Sequence, residues 1–175
     1  MRKQRGFSLI ELLIVVAIIL IIAAIAIPNL LRARIAANEA SGVSSIRTIN
    51  TAEVTYSSTY PTTGYSATIA ALGPPTAAGC PAGGPVVGNS CLIDFILSNA
   101  TTAANSKSGY YFGYAAVAAG GLNTSYTVGG SAASFNQTGV RGFCSNSDGV
   151  IHYISPWNAA PQTTAATCSG WAALQ

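Results

Sequence analysis

Residues 7 to 27 read FSLIELLIVVAIILIIAAIAI, 21 residues in which Ser8 and Glu11 are the only polar side chains. At 1.5 Å rise per residue a helix of this length runs about 31 Å, close to the hydrocarbon thickness of a bilayer, so the segment can span one. Arg2, Lys3 and Arg5 stand immediately before it. By the positive-inside rule the N-terminus then lies in the cytoplasm and everything after Ile27 lies across the membrane. A secretory signal has a shorter apolar core with its small-residue cleavage site behind it, whereas here Gly6 lies in front of a longer run. Cutting after Gly6 would remove the basic cluster and keep the helix. A simple anchor accounts for length and flanks but not for Glu11, since a carboxylate within such a helix costs about 3 kcal/mol on the insertion scale and usually marks function.

Cleavage after Gly6 gives Glu11 a partner. It creates an α-amine on Phe7, a cation in or near lipid, and Glu11 sits four residues on, one helical turn away and at nearly the same membrane depth. Within one helix the carboxylate can partly neutralise its own terminus. Between helices sliding along a common axis it can meet a neighbour's terminus, and a mismatched neighbour would leave both charges buried and unpaired. The second arrangement sets register in an assembly.

The formal charge of +3 belongs entirely to the first six residues: beyond them five basic residues, Arg32, Arg34, Arg47, Lys107 and Arg141, balance five acidic ones, Glu11, Glu39, Glu53, Asp94 and Asp148. Nucleic-acid binding needs Lys and Arg clustered to neutralise phosphates, and the Arg32, Arg34 pair is too little. Charged residues make up 7% of the chain, so solubility has to come from hydroxyls and amides, as suits an exported and repeatedly packed surface.

Arg5-Gly6-Phe7-Ser8-Leu9-Ile10-Glu11-Leu12-Leu13, followed by the apolar run and Pro28, closely resembles the type IV prepilin N-terminus shared by pilins, minor pilins and type II secretion pseudopilins. The resemblance covers roughly the first 30 residues. It implies cleavage after Gly6 by a prepilin peptidase that also N-methylates Phe7, docking of Glu11 to a neighbouring subunit, and a helix bend at Pro28. It further implies an inner-membrane precursor, a homopolymeric extracellular filament built by an assembly platform and ATPase, service in adhesion or twitching motility, and a lollipop-shaped subunit. A major pilin is the favoured member. A minor pilin or pseudopilin is the alternative, and a membrane-anchored binding module is the alternative from a different class.

The residues predict five regions: a leader over 1–6, a transmembrane or filament-core helix over 7–28, an amphipathic continuation over 29–60, a Pro- and Gly-rich loop over 61–108, and a sheet with a C-terminal loop over 109–175. Pro28 lacks an N–H and clashes with the preceding turn, so a kink near 24–28 is expected. Beyond it Val43, Ile46, Ile49, Tyr56 and Tyr60 fall at three- and four-residue steps, with Arg32, Arg34, Asn38, Glu39 and Arg47 adding polar surface. Pro61 supplies a stop. Short helical turns are expected around 66–72 and 92–97. After Gly109 the period changes to two, with Tyr110, Phe112, Tyr114 and Ala116 on one face. Further strands are expected over 125–134, 140–144 and 150–154, with Asn146-Ser147-Asp148-Gly149 as a hairpin turn. The fold class is α+β, a long kinked N-terminal helix packed on an antiparallel sheet of about four strands.

Cys80, Cys91, Cys144 and Cys168 include no C-x-x-C, and a lone His152 eight residues past Cys144 makes a poor zinc set, so disulfides on an oxidising side are expected. Four cysteines permit three connectivities. Pairing of neighbours, Cys80 with Cys91 and Cys144 with Cys168, closes the shortest loops, and each would stabilise the fold by about 3 kcal/mol on the chain-entropy model. Neither a catalytic site nor a cofactor is predicted. His152 alternates with Val150 and Ile154 as a half-buried strand residue, no nucleophile motif accompanies it, and no phosphate-cradling loop is present. Calcium at Asp148 would need more carboxylates than Asn146 and nearby serines supply.

Overall fold

The computed structural model describes residues 7 to 174, so Gly6 and the rest of the predicted leader lie outside the described residues. The chain divides into two compact units, the first ending at Arg34 and the second beginning at Ile35. Helix α1, Leu9–Thr59, contributes to both.

In the first unit α1 is apolar on every side. From Leu9 to Arg34 all its side chains are exposed except the half-buried Ala23, and residues on different faces, such as Leu9, Ile22 and Leu30, are 80%, 61% and 70% exposed. Pro28 lies inside the helix, which is assigned without interruption on either side of it.

In the second unit α1 becomes one-sided. Val43, Ile46, Ile49, Ala52 and Tyr56 are buried at three- and four-residue steps, the stripe that a helix must present to one partner surface. That surface is a sheet of five antiparallel strands in the order β1-β2-β3-β4-β5: Tyr110–Ala119, Leu122–Ala132, Gly142–Asn146, Ile151–Ile154 and Ala172–Ala173. The register aligns Phe112 with Gly130 and Gly130 with Phe143, and Tyr114 with Val128 and Val128 with Ser145. These rows point towards the helix: Tyr110, Phe112, Val128 and Phe143 are fully buried with Ile46 and Ile49. Full burial of one such side chain is worth about 1.5–3 kcal/mol. Short helices α2 (Ile69–Leu72) and α3 (Phe95–Asn99) close the core, placing Leu72 and Leu97 in it. Each starts with a side-chain cap, Thr68 accepting from the Ala71 N–H and Asp94 from the Leu97 N–H.

The opposite face of the sheet is also covered. Across β1, β2, β3 and β4 the register aligns Gly113, Gly129, Cys144 and His152 in one row. The C-terminal segment runs along it as a strap. A Cβ on Gly129 would collide with the backbone of Gln162, and one on Gly113 with Thr163 and Pro161. Helix α4 (Ala165–Ser169) then brings Cys168 onto Cys144, forming one disulfide, and His152 Nδ1 lies 3.0 Å from the Trp171 carbonyl oxygen. The second disulfide, Cys80 to Cys91, closes the loop before α3.

The sheet has one strand more than the sequence predicts. Two residues, Ala172 and Ala173, pair with Tyr153 and His152, and a strand that short carries no alternation to detect. Glu39 also differs from expectation. It is 5% exposed and forms part of the helix–sheet contact, because Arg141 and two backbone amides supply the hydrogen bonds that offset its desolvation.

Candidate assembly site

The local sequence fixes the start of α1. Ser8 precedes the first helical residue, and Glu11 at the third helical position reaches back so that the Ser8 N–H donates to Glu11 Oε2 at 2.9 Å. This is the glutamate half of a capping box, signalled by the spacing Ser8-Leu9-Ile10-Glu11. The carboxylate also complements the positive end of the helix dipole. Sequence reasoning directed at the α-amine of Phe7 passes over this second use of Glu11. Phe7 is 78% exposed. Pro28 lies 17 residues beyond Glu11 in sequence and belongs to the same exposed apolar segment.

Elsewhere two ion pairs and one enclosed carboxylate account for most of the charge of the second unit. Glu39 Oε1 accepts from the Val140 and Arg141 N–H groups at 2.9 and 3.0 Å, and its Oε2 accepts from Arg141 Nε at 2.7 Å. The Arg141 guanidinium stacks over Phe143 and Tyr153, with centroids at 5.5 and 5.8 Å. Lys107 pairs with Asp94 at 3.0 Å. Glu53 is fully enclosed and accepts from the Ser66 N–H at 2.9 Å and from the Ser66 hydroxyl. Burial pushes its carboxyl up from the ordinary range, more than the Ser66 hydrogen bonds pull it down. Burial, reinforced by Glu53, likewise raises the Tyr114 and Tyr126 hydroxyls. The Tyr126 hydroxyl donates to Asn50, and Asn50 donates to Ser145, so the polar groups on this side of the core are satisfied.

Three arginines, Arg32, Arg34 and Arg47, and one carboxylate, Asp148, are exposed and have no oppositely charged partner within 4 Å among the described residues. His152 has no carboxylate partner among the described residues and belongs to the sheet. No group of three or more potential metal ligands occurs among the described residues.

Comparison with known proteins bears on the exposed apolar segment. Residues 1–27 match the prokaryotic N-terminal methylation motif. The chain is 67% identical over 39 residues to the type IV wide pilus major component PilA4 of Thermus thermophilus, a match covering 22% of this chain and 30% of that protein. It is 43% identical over 54 residues to the type IV major pilin protein PilA of Myxococcus xanthus, covering 31% of this chain and 24% of that one. No solved structure matches. The motif and these two relatives make the N-terminal part of the chain similar to that of type IV pilins, and the chain joins it to an α+β fold. The chain spans less than a third of the length of either relative in the matched regions.

Proposed function

We propose that this chain is the structural subunit of a type IV pilus, made as an inner-membrane precursor with its N-terminus in the cytoplasm and polymerised through the first part of α1. The carrying observation is the exposure of apolar side chains on every face of the helix from Leu9 to Leu31, with Glu11 as its one carboxylate. Such a surface has two favourable environments, lipid and other helices of its kind, and passage from one to the other keeps it out of water throughout.

In this reading a prepilin peptidase cuts between Gly6 and Phe7 and methylates the new amine. The cut removes three cations and leaves one, at Phe7, one turn from Glu11. Glu11 then has two uses: it caps its own helix until a neighbour's amine offers a stronger, charge-assisted partner. An assembly platform and its ATPase would draw the subunit from the membrane, and the resulting filament would serve adhesion and motility.

Mass spectrometry of filaments sheared from cells tests the reading. The expected subunit begins at N-methylated Phe7. Recovery of the chain solely as an uncut membrane protein, with no filament containing it, would overturn the proposal.

A further inference from the structure

We propose that successive subunits are also joined through their globular units, by the β3–β4 hairpin tip of one copy seated in the Arg47 groove of the next, with Asp148 pairing to Arg47. This rests on the polymerisation reading above and adds a specific second contact, within the globular units.

The charge inventory leads to it. Lys107 and Arg141 are paired within the second unit, so Arg47 is the cation of that unit without a partner among the described residues. Glu39 and Asp94 are paired and Glu53 is enclosed, which leaves Asp148 as the exposed carboxylate without a cation. Among the side chains of the described residues in that unit, one unmatched charge of each sign therefore remains, on different elements and not in contact within one copy. Two unlike patches of this kind make a heterologous contact, which propagates instead of closing on itself.

The surroundings of each charge fit the other. Arg47 lies in a groove of about 340 Å³ walled by Ser44, Thr48, Thr51 and Thr55, with Ala52 and Leu92 also lining it. The hydroxyls of Thr48, Thr51 and Thr55 donate to carbonyls one turn back, each at 3.0 Å, so their hydrogens are not directed outward. Arg47 is thus the charged donor the groove offers. Opposite it, the tip runs Ser147, Asp148, Gly149, Val150, all exposed, with Gly149 at φ +75° making the turn. Asp148 Oδ1 accepts from the Val150 N–H at 2.9 Å, which fixes the side chain and leaves Oδ2 directed to no described partner. Val150, 44% exposed, supplies an apolar group for Ala52 and Leu92. A narrow turn carrying one carboxylate and one aliphatic side chain matches a shallow groove with one guanidinium and an apolar floor.

The test is charge reversal in the full-length chain, read as the yield of sheared filaments with head folding checked by thermal melting. Asp148→Arg should lower the yield at least about tenfold, because like charges would then face each other across the contact. Combining it with Arg47→Asp should restore the yield to within about threefold of wild type, as a reciprocal swap recovers a specific pair. Normal filaments from Asp148→Arg, or no recovery in the double variant, would overturn the pairing while leaving helix-driven polymerisation intact. Equal rescue by Arg34→Asp would also overturn it, since the attraction would then be nonspecific. A wild-type chain that forms no filaments defeats both proposals. As a second readout, Ser147→Cys with Thr48→Cys should give a disulfide-linked ladder extending beyond dimers on non-reducing gels of filaments. Absence of the ladder, or dimers alone, would overturn the geometry.

Discussion

The two parts of α1 are built on opposite principles. Up to Arg34 the helix has no buried face, and its apolar residues follow no single stripe. From Ile35 on the same helix carries its apolar residues on one stripe, and its charged residues are individually placed: Glu39 against Arg141, Glu53 against Ser66, Arg47 outward. In the proposed reading the first part would accept many neighbours and take its register from one carboxylate, whereas the second accepts one sheet and has its register built in by packing. If the chain polymerises as proposed, it needs both, because the exposed part would have to stay generic enough to pass from lipid to filament while the folded part keeps its identity.

The largest effect should come from the generic part. Glu11→Leu is expected to abolish filaments, yet leave the chain in the membrane fraction and the thermal melting of the folded part unchanged. Glu11→Gln sharpens the point, because an amide keeps the capping-box hydrogen bond to the Ser8 N–H but carries no charge. Loss of filaments in both variants assigns the charge to assembly; normal filaments from Glu11→Gln would reduce Glu11 to a helix cap. Next in size, Phe143→Ala should lower folded-state stability by about 3–5 kcal/mol through lost burial and a cavity beside Tyr110, measured as a urea midpoint in detergent. Membrane insertion should be unaffected, and a coupled loss of insertion would break the division between the parts.

The smallest effect is a pH dependence. The Glu53 carboxyl is raised above its unfolded value, so the folded state holds its proton more tightly than the unfolded state does. Its stabilising contribution is complete below the unfolded value and is lost as pH rises through the interval up to the folded value. Wild type should therefore lose stability across that interval, and Glu53→Gln should flatten the curve. Tyr56, Tyr114 and Tyr126 are titratable groups that face Glu53, and their raised hydroxyls stay neutral there. An unchanged slope in the variant would assign the dependence to another group.

These differences also explain what the sequence discloses. The apolar run, the Val43–Tyr56 stripe and the alternation from Tyr110 are periodic, and a period is a local property that survives without the fold. β1 begins at the predicted residue, and α1 ends one residue before the predicted end at Tyr60. The strap is different, since nothing near Gly129 in sequence announces that Gln162 will lie against it. The Glu39–Arg141 contact, 102 residues apart, is equally silent. Asp148 reads as a hairpin-turn residue, and its second aspect, an unmatched charge, emerges once the other carboxylates have been placed. The capping use of Glu11 was available from a four-residue spacing, but a helix-end signal is easily obscured by the stronger one of a lone carboxylate in an apolar run.

The two-residue β5 has a consequence for aggregation. A subunit made to polymerise faces a competing route, in which open sheet edges add strands from other copies and grow a cross-β fibre. Ala172 and Ala173 occupy His152 and Tyr153 on the free side of β4, and the Leu174 N–H donates to the Ile151 carbonyl at 2.8 Å, so that edge offers few vacant ladder positions. On the polymer reading proposed above, this edge cover would oppose templated growth through the β4 side of the sheet and leave helix packing as the favoured direction of growth.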